Sequence, residues 1–363
     1  MKYTHITEGK ARFFVPAGRI YDAEVFYNPV AQENRNISVC CAQVFQRMLG
    51  EPLNICDLLS ASGASGLRYA KEVSGVKSVT LNDKNPSAAK LIKKNITLNK
   101  LAKTCKASHR DANALLSENI YNYVDVDPFG TPILYMDSAA RGAFWHGMLA
   151  VTATDQAPLS GTYPNACLRK YGVRSMKTDY YAELGVRILI TSIIRACARH
   201  EKSFVPHLSF ATQHYFRVFG RIWHGAGEAD KMLRQFGHVM HCFSCGNRRL
   251  GSAETRCSCG RDFTVAGPLY LGPLNDHEFV DSVKREMSKR GFPLELIQEI
   301  SYEIDQPIYY DLHYLYKKTK VHPRKMEEIL ELLEDKGFVA SRTHFCPTAI
   351  KTNASFEELK KLM

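Results

Sequence analysis

The sequence predicts an α/β protein built on a doubly wound parallel sheet, with a second, smaller domain. From residue 50 onward, short apolar runs alternate with amphipathic stretches, which is the pattern of βαβ units. The first of these runs leads into a loop of small residues that opens a helix, as in nucleotide-binding sheets. At 363 residues the chain is long enough for about two domains.

The alternating elements occupy the first half of the chain. The predicted strands are Leu53–Leu59, Ser78–Asn82, Tyr121–Val126 and Met148–Ala153. The predicted helices between them are 65–73, 86–99 and 133–141. Pro86 stands in the first turn of the second helix, where its missing N–H costs nothing. Strand and helix therefore follow each other in the order that a parallel sheet requires.

The second half of the chain predicts a long helix at 180–200, a strand at 215–223 and a mainly helical last hundred residues. One late helix is clear, since Met326, Ile329, Leu330 and Leu333 have i, i+3, i+4, i+7 spacing and Gly337 follows as its C-cap. A short strand then begins at Phe338, as at the end of a winged-helix-like module. We expect one domain at 1–240 and a smaller α+β domain at 241–363.

The net charge of +11, from 48 basic and 37 acidic residues, is concentrated in the middle of the chain. Residues 160–261 carry 16 basic and 6 acidic side chains, with arginines interleaved among aromatic residues. This composition favours a polyanion with exposed bases, hence RNA; the alternative is a solvated surface that aids solubility.

The sequence also predicts a cytoplasmic protein. Its longest aliphatic run, Ile188–Ile194, is far below the roughly 20 residues that cross a bilayer, and the N-terminus lacks the apolar core of a signal peptide. We expect no membrane contact and no obligate protein partner.

Two carboxylates follow the loop of small residues: Asp83 ends the next predicted strand, and Asp111 follows a presumed third strand. The loop, Ser60–Gly66, lets a ligand approach the backbone. Asp83 can accept hydrogen bonds from both ribose hydroxyls of a nucleoside cofactor, and Asp111 can take the adenine amino group, helped by the backbone of Ala112. The alternative for each aspartate is a helix N-cap or a turn. The loop lacks G-x-G-x-x-G spacing, so S-adenosyl-L-methionine is favoured over a dinucleotide.

The choice of cofactor depends mainly on Asp127-Pro128-Phe129-Gly130. This segment resembles the (D/N)-P-P-(Y/F) signature of enzymes that methylate exocyclic amino groups. An aryl amine is a poor nucleophile because its lone pair is delocalised into the ring. A carboxylate that accepts hydrogen bonds from its N–H groups favours the pyramidal nitrogen, which can attack a methyl sulfonium. An aromatic ring at the fourth position stacks on a flipped base. The alternative is a strand-terminating Asp-Pro turn with a core phenylalanine.

Four of the eleven cysteines form a cluster with the spacing C-x2-C-x11-C-x-C, namely Cys242, Cys245, Cys257 and Cys259. Four thiolates suit tetrahedral zinc. Gly246 and Gly260 follow the two pairs, where a tight turn is needed. No ligand position is left open, so we expect a structural Zn²⁺. The alternative is a set of reduced structural cysteines, because a reducing compartment disfavours a disulfide.

Taken together, these segments resemble the tRNA (guanine-26-N2)-dimethyltransferase family, particularly its archaeal form. The similarity extends along nearly the whole chain: Val25–Pro29, Asn34–Ser38, Gly66–Ala70, Asn82-Asp83, Asp127–Gly130, His214–Val218, Ser341–Phe345 and Lys351-Thr352. The last three segments lie outside any generic methyltransferase. The resemblance implies a Rossmann-like class I methyltransferase sheet and a zinc-binding C-terminal domain.

The resemblance also implies an activity and a set of site residues. Arg35, Arg68, Asp83, Asp111 and Ala112 would contact S-adenosyl-L-methionine. Asp127, Pro128 and Phe129 would serve the target guanine. We expect transfer of one or two methyl groups to N2 of guanine 26 in tRNA. The alternatives are an amino-methyltransferase that acts on another RNA or DNA base, and a non-catalytic RNA-binding protein that keeps a vestigial cofactor pocket.

Overall fold

The strands form four sheets in the computed structural model of this protein, which describes residues 3–17 and 24–363. The strands are β1 (Tyr3–Glu8), β2 (Ala11–Pro16), β3 (Leu53–Asp57), β4 (Val76–Asn82), β5 (Cys105–Ser108), β6 (Tyr121–Val126), β7 (Ala143–Ala153), β8 (Lys202–Ala211), β9 (Phe216–His224), β10 (Phe236–His241), β11 (Arg248–Gly251), β12 (Thr264–Tyr270), β13 (Tyr310–Asp311), β14 (Ala340–Arg342) and β15 (Ala349–Thr352). β1 and β2 pair as an antiparallel hairpin.

Helices connect and cover these strands. They are α1 (Gln32–Leu49), α2 (Ala64–Glu72), α3 (Pro86–Leu98), α4 (Ala112–Glu118), α5 (Met136–Gly142), α6 (Gln156–Leu159), α7 (Pro164–Tyr171), α8 (Tyr181–Ala198), α9 (Ala226–Leu233), α10 (His277–Lys289), α11 (Glu295–Tyr302), α12 (Leu312–Thr319), α13 (Met326–Asp335) and α14 (Phe356–Leu362). Short 3₁₀ helices precede α1 and α5, at Pro29–Ala31 and Ile133–Tyr135.

The largest sheet has seven strands in the order β5-β4-β3-β6-β7-β9-β8. The five strands β3 to β7 run parallel to one another, whereas β9 is antiparallel to both β7 and β8. The strand order reverses between β3 and β6, and such a switch point leaves a crevice at the carboxyl ends of the strands. The fold class that the sequence predicts is confirmed, with an antiparallel strand inserted at one edge.

Two apolar cores lie on opposite faces of this sheet. One contains side chains from α1, α2, α10 and α11, and the other contains side chains from α4, α5 and α8. The apolar run Ile188–Ile194 belongs to α8, which is buried along nearly its whole length. None of the helices within the described residues is sufficiently long and apolar to span a bilayer.

Two small sheets follow the large one. β10 pairs with β11 and β12. The other sheet has the order β13-β15-β14 and packs with α12 and α13; its description as the end of a winged-helix-like module stays a prediction. β10 begins at Phe236, and α10 packs against α1 of the N-terminal half. The domain boundary at 240/241 stays a prediction, and the small sheet extends across it.

A cluster of buried charged side chains joins the C-terminal module to α8; we call it the interdomain lock. It consists of Glu183, Glu303, His344 and Lys351. Lys351 Nζ lies 2.7 Å from Glu303 Oε1 and 3.4 Å from Glu183 Oε2. His344 Nδ1 lies 2.6 Å from Glu303 Oε2. Burial would raise the pKa of Glu303, but Lys351 and His344 outweigh burial and hold that pKa below its ordinary value. The C-terminal segments of the family resemblance therefore hold the two parts of the chain together.

Candidate active site and cysteine cluster

The loop after β3 lies at the switch point of the sheet and is tied to the end of β4. Ala61 N donates to Asp83 Oδ2 at 2.8 Å, and Asp83 Oδ1 accepts from Asn85 N at 2.8 Å. Each carboxylate oxygen can accept a further hydrogen bond. Asp83 is half-buried, so it both shapes the loop and keeps acceptor capacity for a ligand.

Gly66 is required where α2 packs against the sheet. A Cβ at this position would lie 2.7 Å from the Leu81 side chain and 2.9 Å from Asp57 Oδ2, closer than carbon atoms tolerate. Gly66 N instead donates to Asp57 Oδ2 at 2.9 Å. The glycine therefore lets the helix begin directly behind the strand-end carboxylate.

Asp111 lies at the same edge of the sheet, at the N-cap of α4. Its Oδ1 accepts from the backbone N–H groups of Asn113 and Ala114 at 3.0 and 3.2 Å. The side chain is exposed, and Ala112 behind it is buried. The N-cap alternative is thus confirmed for Asp111, and its contact with a cofactor, like that of Ala112, stays a prediction.

Arg35 and Arg68 are buried and donate to carboxylates of the protein itself. Arg35 makes two hydrogen bonds of 2.7 Å to Glu8. Arg68 Nη1 donates to Glu8 at 2.8 Å, and its Nε donates to Glu72 at 2.7 Å. These bonds hold β1 against α1 and α2. A cofactor carboxylate would have to share Arg35 with Glu8, so the cofactor roles of both arginines stay predictions.

Asp127, Pro128 and Phe129 form the loop after β6. Pro128 is buried, Asp127 is half-buried, and Phe129 is 81% exposed. Gly130, at φ +105°, donates its N–H to Thr154 Oγ1 at 2.7 Å. The loop is thus fixed to the end of β7, and it presents a phenylalanine to solvent instead of burying it. The alternative of a core phenylalanine is therefore wrong.

A second aromatic ring, which the sequence reasoning missed, lies beside Phe129. The ring centroids of Phe26 and Phe129 are 5.7 Å apart, at an angle of 62°. Phe26 is 37% exposed. Phe129, with Phe26 packed edge-on against it, therefore offers an exposed ring face to a planar group.

Carboxyl groups outnumber cations behind this loop. Asp57, Asp125 and Asp127 lie at the ends of β3 and β6, where burial and the charge of Asp125 raise the pKa of Asp57 to about 8. Burial also raises the pKa of Asp127, and Arg217 opposes that rise. A cationic ligand would stabilise these carboxylates. S-adenosyl-L-methionine carries a sulfonium and an ammonium group, so the residues present fit this cofactor.

Three of the 16 basic side chains of residues 160–261 lie inside the protein. Arg187, Arg217 and Arg248 are buried and pair with Glu183, Asp125 and Asp179. Many of the aromatic residues among them, such as Tyr180 and Phe216, are buried too. The interleaving of arginine and aromatic residues is thus partly a core pattern, and the expectation that it marks an RNA surface is wrong for these residues.

The four cysteines of the cluster converge as the spacing predicts. Their Sγ atoms all lie within 4.8 Å of one another, with 3.5 Å between Cys242 and Cys259 and 3.6 Å between Cys245 and Cys257. Zn–S bonds of about 2.3 Å place the corners of a tetrahedron about 3.8 Å apart. Gly246 and Gly260 have φ values of +87° and +82° and form the tight turns. The cluster can therefore hold a zinc ion.

The strand order and the strand-end loops define a class of protein, since a seven-stranded sheet with one inserted antiparallel strand is the Rossmann-like sheet of class I methyltransferases. The model of the N2,N2-dimethylguanosine tRNA methyltransferase family matches residues 9–363. The chain belongs to this family.

Individual relatives match over almost their full lengths. A tRNA (guanine(26)-N(2))-dimethyltransferase from Methanosarcina acetivorans is 41% identical over 361 residues, which cover 94% of this chain and 92% of the relative. The protein of the same name from Pyrococcus horikoshii is 36% identical over 381 residues, with 98% and 97% covered. The solved complex of Trm1 from Pyrococcus horikoshii with S-adenosyl-L-methionine has a TM-score of 0.90 at 34% identity, and 99% of both chains is covered. The family that the sequence predicts is confirmed.

Proposed function

We propose that this protein transfers one or two methyl groups from S-adenosyl-L-methionine to N2 of guanine 26 in tRNA. The observation that carries the proposal is the strand-end loop, in which a half-buried carboxylate, Asp127, stands beside an exposed ring, Phe129. The loop borders the crevice where the residues fit a cationic nucleoside. Family membership and the names of the relatives support the same reaction.

Asp127 and Phe129 have separate roles in the proposed reaction. The Asp127 carboxylate accepts a hydrogen bond from the exocyclic amino group and so orients the nitrogen lone pair. Phe129 stacks against the flipped base, and Phe26 supports the Phe129 ring edge-on. Pro128 is buried and holds these two side chains in fixed relative positions.

Asp83 and Asp111 would hold the ribose and the adenine of the cofactor, with the backbone of Ala112 beside them. Arg35 and Arg68 would hold its methionine end together with Glu8. When bound, S-adenosyl-L-methionine supplies the electrophilic methyl group. The small-residue loop after β3 leaves room beside the backbone for the nucleoside.

Exposed cations on three segments are proposed to contact the tRNA backbone. α7 lies beside the catalytic loop, since Thr131 Oγ1 donates to Tyr171 Oη at 3.2 Å. The exposed cations are Arg169, Lys170, Arg174 and Lys177 near α7, Arg249, Arg256 and Arg261 near the cysteine cluster, and Lys317, Lys320, Arg324 and Lys325 in the winged-helix-like module. Cytoplasmic location and independence from a protein partner stay predictions from the sequence.

The activity is tested by incubating bulk unmodified tRNA with labelled S-adenosyl-L-methionine and identifying the modified nucleoside and its position. We expect N2-methylated guanosine at position 26. Label on an adenine, on another guanine or only on rRNA would favour a different amino-methyltransferase. Cofactor binding without methyl transfer to any nucleic acid would favour a non-catalytic RNA-binding protein that keeps a vestigial cofactor pocket.

The role of Asp127 is tested by Asp127→Ala, which should abolish transfer and leave the dissociation constant of the cofactor nearly unchanged. Asp137→Ala is the matched control, because Asp137 is an exposed carboxylate on α5 and its loss should change neither quantity. Full activity in Asp127→Ala would contradict the mechanism.

A further inference from the structure

A row of polar side chains crosses three neighbouring strands behind the catalytic loop. In the pairing of β6 with β7, Val126 lies opposite Val151, so Asp127 and Thr152 follow side by side. In the pairing of β7 with β9, Thr152 lies directly opposite Arg217. Asp127, Thr152 and Arg217 therefore occupy successive positions across the sheet, and Arg217 belongs to a segment outside any generic methyltransferase.

Arg217 is completely buried, and its guanidinium is held on several sides. Nη1 and Nη2 donate to the two carboxylate oxygens of Asp125 at 2.8 and 3.2 Å. Nη1 also donates to Thr152 Oγ1 at 2.7 Å, and Nη2 donates to Ser38 Oγ at 3.0 Å. Tyr69 Oη donates to Asp125 Oδ2 at 2.5 Å. Asp125 thus fixes the guanidinium, and the guanidinium fixes two hydroxyl groups.

The direction of these hydrogen bonds determines what Thr152 can do. An arginine only donates, so the Thr152 oxygen accepts from Arg217 and its single hydroxyl proton is free for another acceptor. The pairing of β6 with β7 places Thr152 beside Asp127, and Thr152 lowers the pKa of Asp127. A hydroxyl that accepts from a cation is also a stronger donor, because hydrogen bonds in a chain polarise one another.

Resting on the proposed function of Asp127, we propose that Arg217 is a positioning residue. It acts through Thr152, orients the Asp127 carboxylate and keeps it ionised, and Asp125 holds the guanidinium in place. The pair of Arg217 and Asp125 has a second property that favours this role. A buried ion pair contributes little stability compared with apolar side chains of the same volume. The row instead keeps Asp127 ionised in a site crowded with other carboxylates.

The proposal predicts that substitution of Thr152 or Arg217 changes the pH dependence of the methyl-transfer rate. The charged or titratable groups around Asp127 are Arg217, Arg35, Asp125, Asp57 and Tyr215. Substitution of Thr152 by valine leaves all five in place and removes the one hydroxyl that accepts from Arg217 and lowers the pKa of Asp127. The pKa of Asp127 should then rise, and the acidic limb of the pH–rate profile should move to higher pH.

The test is Thr152→Val in the full chain, measured by single-turnover methyl transfer to tRNA as a function of pH. We expect a rate loss of about tenfold at neutral pH, as for one hydrogen bond to a charged group, and an acidic limb displaced to higher pH. The dissociation constants of cofactor and tRNA should be unchanged. Thr152→Ser should restore the wild-type profile.

Ser38→Ala is the matched control, since it removes the other hydroxyl on the same guanidinium but not one that reaches Asp127. It should keep the wild-type profile. Arg217→Lys is the second variant and should displace the limb in the same direction as Thr152→Val. A Thr152→Val profile that coincides with that of Ser38→Ala would overturn the proposal. Failure of the proposed function is distinguishable, because the wild-type protein itself would then not methylate guanosine in tRNA.

Discussion

Asp57 should make the stability of the cofactor-free protein fall as pH rises. Its carboxyl is 3% exposed at the end of β3, and burial together with Asp125 raises its pKa to about 8 from an ordinary 3.8. The folded protein therefore holds this proton across a range of pH in which the unfolded chain has released it. Stability linked to Asp57 is present below the unfolded pKa and is lost as pH rises toward the folded pKa.

The magnitude follows from the separation of the two pKa values. Each pH unit in this range costs about 1.4 kcal/mol, so wild-type protein should lose about 3–4 kcal/mol relative to Asp57→Asn between about pH 5 and pH 8. Asparagine has nearly the same shape and keeps an oxygen that can accept from Gly66 N. The difference between the two proteins isolates Asp57 from other titrating groups.

The assay is urea unfolding of wild-type protein and Asp57→Asn at a series of pH values, without cofactor. The difference in unfolding free energy should grow with pH in favour of the variant. Saturating S-adenosyl-L-methionine should reduce the slope, because a cation beside Asp57 favours the ionised carboxyl. A difference that stays constant over this pH range would refute the assignment of the raised pKa to Asp57.

Two further predictions concern the cysteine cluster and the exposed ring. Cys242→Ser should lose bound zinc and lower the unfolding temperature, as expected for a structural metal, whereas Cys346→Ser, outside the cluster, should keep the metal; metal analysis and thermal unfolding measure both. Phe129→Ala should cost about 1–3 kcal/mol in kcat/KM for tRNA through lost stacking, and Phe129→Tyr should restore most of it. Equal kcat/KM values in both Phe129 variants would exclude stacking by this ring.

The strands and helices whose apolar residues follow a regular pattern could be predicted closely. The predicted strand Tyr121–Val126 matches β6, and the predicted helix at 86–99 is one residue longer than α3. Parallel strands bring their carboxyl ends to one edge, so the predicted parallel sheet also placed Asp83, Asp111 and Asp127 at that edge. The edge strand β8 was missed, because Pro206 and His207 interrupt its apolar pattern.

Residues that act through distant partners could not be found in the same way. Arg217 and Asp125 are 92 positions apart in the chain, and no local pattern distinguishes a buried arginine from a surface one. Phe26 precedes Phe129 by about a hundred positions, and only the fold brings the rings together. Charge counting was misleading for Arg187, Arg217 and Arg248 for the same reason, since it does not separate paired interior arginines from exposed ones.

The interdomain lock determines how the chain can be divided. A fragment that ends before β15 would lack Lys351, and Glu183 and Glu303 would lose the cation between them. Glu183 would keep Arg187 and Glu303 would keep His344, but each carboxylate would lose a buried cation, which is destabilising. Truncation that removes Lys351 should therefore weaken α8 as well as the C-terminal module, and the catalytic sheet is not a separable module.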